Sequence, residues 1–134
     1  MSTDTITVEL GSEPYRTRVT AGEHVFFVDE PGSLGGGDTA ADPYSLLLGA
    51  LGACKAITAK MYAQRKGWAL DDVRLDLVHS RPNGRGNPEL IEISLSFVGD
   101  LTNEQRERLK EVTNACPVSK TIEGELEVQS VLED

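Results

Sequence analysis

Cysteine, histidine, tryptophan and positive charge are all scarce in this sequence: its 134 residues include two cysteines, two histidines, one tryptophan and 13 basic against 22 acidic side chains. Two cysteines can close one disulfide, but nothing else suggests a small secreted scaffold held by bridges. In a cytosolic chain such a pair points to metal binding, redox work or plain packing. No C-x-x-C occurs, and His24 and His79 fall on separate predicted strands. A zinc site would need four scattered ligands without a close pair, so no metal is expected. No serine, histidine and aspartate suggest a hydrolytic triad. The net charge of -9 repels a phosphate backbone or an anionic membrane surface, so nucleic acid is not an expected partner. The N-terminal "MSTDTITVEL" has no basic region followed by an apolar core, and the apolar run "LLLGALGAC" reads as too short and too glycine-rich to span a bilayer. The expectation is a cytoplasmic protein with no membrane partner.

What remains is ordinary for a folded domain: 39% hydrophobic and 26% charged residues, spread along the chain. The length suits one domain, residues 1–134, and is too short for two of common size. Residues 5–10, 15–20 and 24–30 alternate apolar and polar side chains and predict three strands joined by tight turns. The glycine-rich "PGSLGGGDTAADP" that follows lacks the lysine-serine ending of a phosphate loop and reads as a spacer. Asp29, Glu30, Asp38 and Asp42 around it read as a solvated rim.

At Pro43 the period changes. Leu47, Leu51, Cys54, Thr58 and Met61 recur three or four apart, a helical stripe, with Asp42 as N-cap and Gly67 as stop. Residues 72–81 and 89–99 alternate and predict a second hairpin around "PNGRGNP". Thr102, three residues before Gln105, has the capping-box spacing and opens a second helix. The tail "ELEVQSVLE" alternates again and predicts a last strand. The order is β-β-β-α-β-β-α-β, an α+β class.

The two cysteines sit in different settings. Pro117 cannot continue the helix that opens at Thr102, so a break is predicted at Cys116, which becomes the N-cap of a new turn. Free backbone N–H groups and nearby Lys120 should there favour thiolate. Cys54 lies inside an apolar helix, where a buried thiol is inert unless a cation or donor is close. Lys55, next in sequence, reads as pointing to another face. Cys54 as a packing residue and Cys54 as a nucleophile both remain open on spacing alone.

The strings "DPYSLLLGALGACKAITAKMYAQRKGW" and "ACPVSKTIEG" resemble the OsmC/Ohr family of osmotically inducible and organic hydroperoxide resistance proteins, from about Asp29 to Gly124. The resemblance implies an intertwined homodimer with long, central, cysteine-bearing helices, working as a thiol peroxidase with no cofactor beyond its own thiols. Cys54 would attack the peroxide and become a sulfenic acid; Cys116 would resolve it as a Cys54–Cys116 disulfide, and a dithiol reductant, lipoyl or small thiol, would reopen the bond. Leu51, Ile57 and Tyr62 would wall the peroxide's apolar tail. The organic hydroperoxide branch carries a glutamate just after the proline opening the long helix, paired with an arginine from the first strands. Tyr44 and Ser45 stand there instead. Arg16 or Arg18, on one face of the predicted second strand, could still serve Cys54, and Arg16 is the expected catalytic arginine. Loss of the glutamate keeps open an alternative on the same fold: a non-enzymatic dimer that binds small ligands or senses redox state.

Overall fold

The computed structural model describes residues 5–133. Its backbone forms two compact units, one ending at Gly49 and one beginning at Ala50.

The first unit is built on a three-stranded antiparallel sheet of β1 (Ile6–Leu10), β2 (Thr17–Ala21) and β3 (His24–Val28), in that order. Val19 of the central strand faces Val8 and Phe26 and is buried, whereas β1 is exposed along its whole length. The chain leaves β3 into a closed loop whose base is the bond from the Asp29 N–H to the Ala41 carbonyl, 3.1 Å. The Asp29 carboxylate accepts from the Glu30 N–H (2.8 Å), the Thr39 N–H (3.1 Å) and the Thr39 hydroxyl (2.6 Å). At 2% exposure Asp29 is no rim residue, contrary to the expectation from sequence. Three donors satisfy it, so its burial carries little penalty. They hold its pKa down at about 2, the Thr39 hydroxyl contributing most. Gly36 folds so tightly under Glu30 that a Cβ would lie 2.0 Å from the Glu30 carbonyl oxygen, so the glycine run is built into the loop and is not a slack spacer.

The division between the units falls inside α1 (Pro43–Lys66). Asp42 caps this helix as expected, accepting from the Ser45 N–H at 3.3 Å and from the Ser45 hydroxyl. Gly67, at φ 71°, ends it in the left-handed region that a Cβ disfavours. By length and mean hydropathy the whole helix is apolar enough to cross a bilayer, which the run "LLLGALGAC" alone did not suggest. Its buried face nevertheless packs on protein. That face is Leu51, Gly52, Lys55, Ala59 and Ala63, offset from the stripe expected from sequence. Small residues decide it, because they let the sheet approach: a Cβ on Gly52 would come within 2.9 Å of Leu77. Ile57 and Met61 are left 54% and 59% exposed.

In the second unit β4 (Ala69–Ser80) and β5 (Leu90–Asp100) form an antiparallel hairpin. Leu70 and Phe97 from its two strands meet Ala59, Ala63 and Leu109 in the core, with Trp68, Tyr62 and Leu95 packed against them. α2 (Asn103–Thr113) opens with the predicted capping box, Gln105 N–H to Thr102 Oγ1 at 3.1 Å and Thr102 N–H to Gln105 Oε1 at 2.9 Å. The chain then turns through Cys116 into α3 (Pro117–Glu123).

The α+β class holds, with two sheets and three helices among the described residues. The predicted last strand does not: residues 125–133 have no regular structure, and Leu126, Val128, Val131 and Leu132 are 65–88% exposed. Alternation gives a segment the faces of a strand, but a strand also needs an edge that takes its N–H and C=O groups, and among the described residues none pairs with it.

Candidate functional site

The α2–α3 break is set by covalent structure. Pro117 has no N–H to donate and its ring excludes a continuing helix, so it becomes the first residue of α3 and Cys116 becomes the N-cap. The Cys116 Sγ accepts from the Ser119 N–H at 3.3 Å, as a capping oxygen would. The geometry expected from sequence is present; the expected charge is not. Cys116 is completely buried, and burial, the largest effect, pushes its thiol pKa up despite the Ser119 N–H and the charge of Lys55, which pull it down. Lys120, the cation expected beside it, is exposed on α3.

The Cys54 thiol also raises Cys116, through a side-chain hydrogen bond and through charge. The two cysteines, carried on α1 and at the start of α3, are therefore near enough for one to act on the other. Both cysteines are unbridged; Cys54 is half-buried and so is the more open of the pair.

Lys55 was misplaced by sequence reasoning. It does not point away from the site but is 5% exposed inside it, its Nζ donating to the Thr113 carbonyl at 3.2 Å and to the Ser119 Oγ at 3.3 Å. The Ser119 hydroxyl donates onward to Glu123 Oε2 at 2.6 Å. One signal could have found it: Leu51, Lys55, Ala59 and Ala63 form an i, i+4 row, and a lysine within such a row sits on the buried face. Beside this cluster lies a cavity of about 510 Å³, lined on its apolar side by Leu51, Ile93 and Ile122 and on its polar side by Lys55, Ser119 and Glu123.

The expected wall of the peroxide site is assembled only in part. Leu51 is buried, Ile57 is 54% exposed, and Tyr62 packs edge-on to Trp68 with its hydroxyl accepting from Arg108 Nε at 3.1 Å.

Arg16 lies in the first unit, one residue before β2 begins, while Arg18 is within the strand. The two differ in restraint. Arg16 is half-buried, donates from Nη1 to the Thr39 Oγ1 at 2.8 Å and stacks 4.0 Å above the Phe27 ring; Arg18 is exposed. Through Thr39 the guanidinium is tied to the buried Asp29 carboxylate. Among the described residues no group of three His, Cys, Asp or Glu side chains is arranged to hold a metal ion.

The sequence matches the OsmC-like protein family over residues 35–131. No curated protein matches it. Among solved structures, an OsmC-like protein from Mycoplasma pneumoniae superposes with a TM-score of 0.77 at 20% identity, over 92% of this chain and 89% of that one. An organic hydroperoxide resistance protein OsmC from Legionella pneumophila gives 0.68 at 22% identity, over 96% and 95%. The organic hydroperoxide resistance protein OhrB of Bacillus subtilis gives 0.63 at 21% identity, over 96% of each chain. At these identities the likeness is one of fold.

Proposed function

The chain belongs to the OsmC-like protein family, and we propose that it is a cysteine-based peroxidase that reduces organic hydroperoxides. The observation that carries this reading is the proximity of Cys54 on α1 to Cys116 at the start of α3. Family membership supports a redox or peroxide-related role, and two of the similar structures are named as organic hydroperoxide resistance proteins.

Cys54, the more open sulfur of the pair, attacks one peroxide oxygen. The O–O bond breaks, the alcohol leaves with a proton, and Cys54 becomes a sulfenic acid. Cys116, close by at the start of α3, is the resolving thiol. It attacks, the S–S bond forms, the S–O bond breaks, and the hydroxide leaves as water with the proton that Cys116 gives up. A dithiol, lipoyl or small thiol, then restores both thiols by exchange. Arg16 is the group assigned to favouring the Cys54 thiolate, since its guanidinium is oriented by Thr39 and Phe27. A homodimer covers the apolar face of α1 that carries Ile57 and Met61.

Mass spectrometry of the intact protein after brief exposure to cumene hydroperoxide tests the reading. The expected product has lost two hydrogens and maps to a Cys54–Cys116 bond. Unchanged thiols, with the peroxide unconsumed, would instead favour a non-enzymatic ligand-binding role for the same fold.

A further inference from the structure

We infer that Lys55 is a positioning residue for Cys116: its ammonium clamps the turn on both sides of that cysteine and supplies the charge that lets the Cys116 thiol ionise when it attacks Cys54. The inference rests on the peroxidase reading above for its role in turnover, but its electrostatic content stands on the geometry alone.

The two acceptors of Lys55 are Thr113, three residues before Cys116, and Ser119, three residues after it. The same two residues already hold the cysteine: Thr113 through its carbonyl, which accepts from the Cys116 N–H at 3.4 Å, and Ser119 through its N–H to the sulfur. One side chain from α1 thus fixes both ends of the segment that aims the sulfur. Because Lys55 directly follows Cys54 in the helix, the clamp ties the backbone of one cysteine to the turn of the other.

A lysine at this depth loses its hydration, and two hydrogen bonds to neutral oxygens replace only part of it. Such a cation is retained at little net benefit to packing. Its place beside a buried thiol that must shed a proton gives it work that a methionine or leucine of similar size would not do. Burial and the Cys54 sulfur both hold Cys116 neutral, and Lys55 is the positive charge that opposes them. The other titratable groups around the cluster are Cys54 from α1, Lys110 from α2, Glu123 from α3 and Glu89 just before β5, across the cavity. Glu123 is bonded to the Ser119 hydroxyl and Glu89 is paired with His79 and Arg81, whereas the charge of Lys55 acts on the Cys116 thiol itself.

The test uses the full-length protein. In Cys54→Ser, where one thiol remains, the ultraviolet absorbance of the thiolate is titrated with Lys55 intact and as Lys55→Gln or Lys55→Arg. Glutamine keeps a donor without charge; arginine keeps the charge. The expected result is a rise of about one pH unit in the midpoint with glutamine and a return to within about 0.3 unit of the parent with arginine. In single turnover with both cysteines present, Lys55→Gln should slow loss of the sulfenic acid about tenfold more than it slows the sulfenic acid's formation. A midpoint unmoved by glutamine, or moved as far by arginine, overturns the inference. Should Lys55→Gln fail to fold by circular dichroism, Ser119→Ala removes one anchor of the ammonium while leaving the backbone bond to Cys116, and an unmoved midpoint there overturns it equally. If the wild type forms no sulfenic acid, the peroxidase reading fails while the titration still decides the role of Lys55.

Discussion

Thr39 donates both its hydroxyl, at 2.6 Å, and its N–H, at 3.1 Å, to one oxygen of the buried Asp29 carboxylate, so the loop after β3 closes on a single ionised group. The same hydroxyl accepts from Arg16, which makes Asp29 the anchor of the guanidinium as well as of the loop.

The pKa of Asp29 is held at about 2, below its ordinary 3.8, chiefly by the Thr39 hydroxyl. A group depressed in the folded state contributes stability that is complete above its unfolded value and is lost as pH falls through the folded one. Asp29→Asn should therefore lower the melting temperature by several degrees at pH 7, and the gap to wild type should close between about pH 4 and pH 2. Melting curves across that range check it; a gap that stays constant with pH would show that shape, not charge, holds the loop.

The two cysteines should fail differently, since one sulfur is oxidised first and the other acts only on its product. Cys54→Ser should consume no hydroperoxide. Cys116→Ser should react once, stop as a sulfenic acid trapped by dimedone, and pass to sulfinic acid in excess oxidant. One equivalent of sulfenic acid from Cys54→Ser and none from Cys116→Ser would reverse the roles.

Arg16→Ala should slow sulfenic acid formation by about a hundredfold, the usual scale for losing a group that acts at the reacting atom, with a much smaller effect on melting temperature. Arg18→Ala, in an exposed strand position, should stay within about twofold of wild type. Stopped-flow peroxide consumption separates them, and equal rates in all three proteins would remove Arg16 from the mechanism.

Ile57 and Met61 occupy one side of α1 at 54% and 59% exposure, and a second copy of the chain is the proposed cover. Met61→Glu places a charge in that interface and should weaken the dimer by at least about tenfold, giving monomer at micromolar concentration by light scattering. A wild-type protein that is itself monomeric at that concentration would remove the premise.

Much of the fold follows from local chemistry that the sequence displays directly. Proline at 43 and 117, glycine at 67 and the Thr102–Gln105 pair each act on their own few residues, so they mark the helix boundaries without reference to anything distant. The strands of both hairpins were legible for the same reason, since alternation is a property of the strand itself. What required the tertiary structure was every question of what faces what. Small residues on α1 turned the buried side towards Lys55, the lack of a partner edge left the tail unpaired, and Thr39 drew Asp29 inside. The charge state of Cys116 was decided in the same way: its N-cap position favours thiolate, but desolvation depends on all the atoms packed around it, and desolvation is the larger effect.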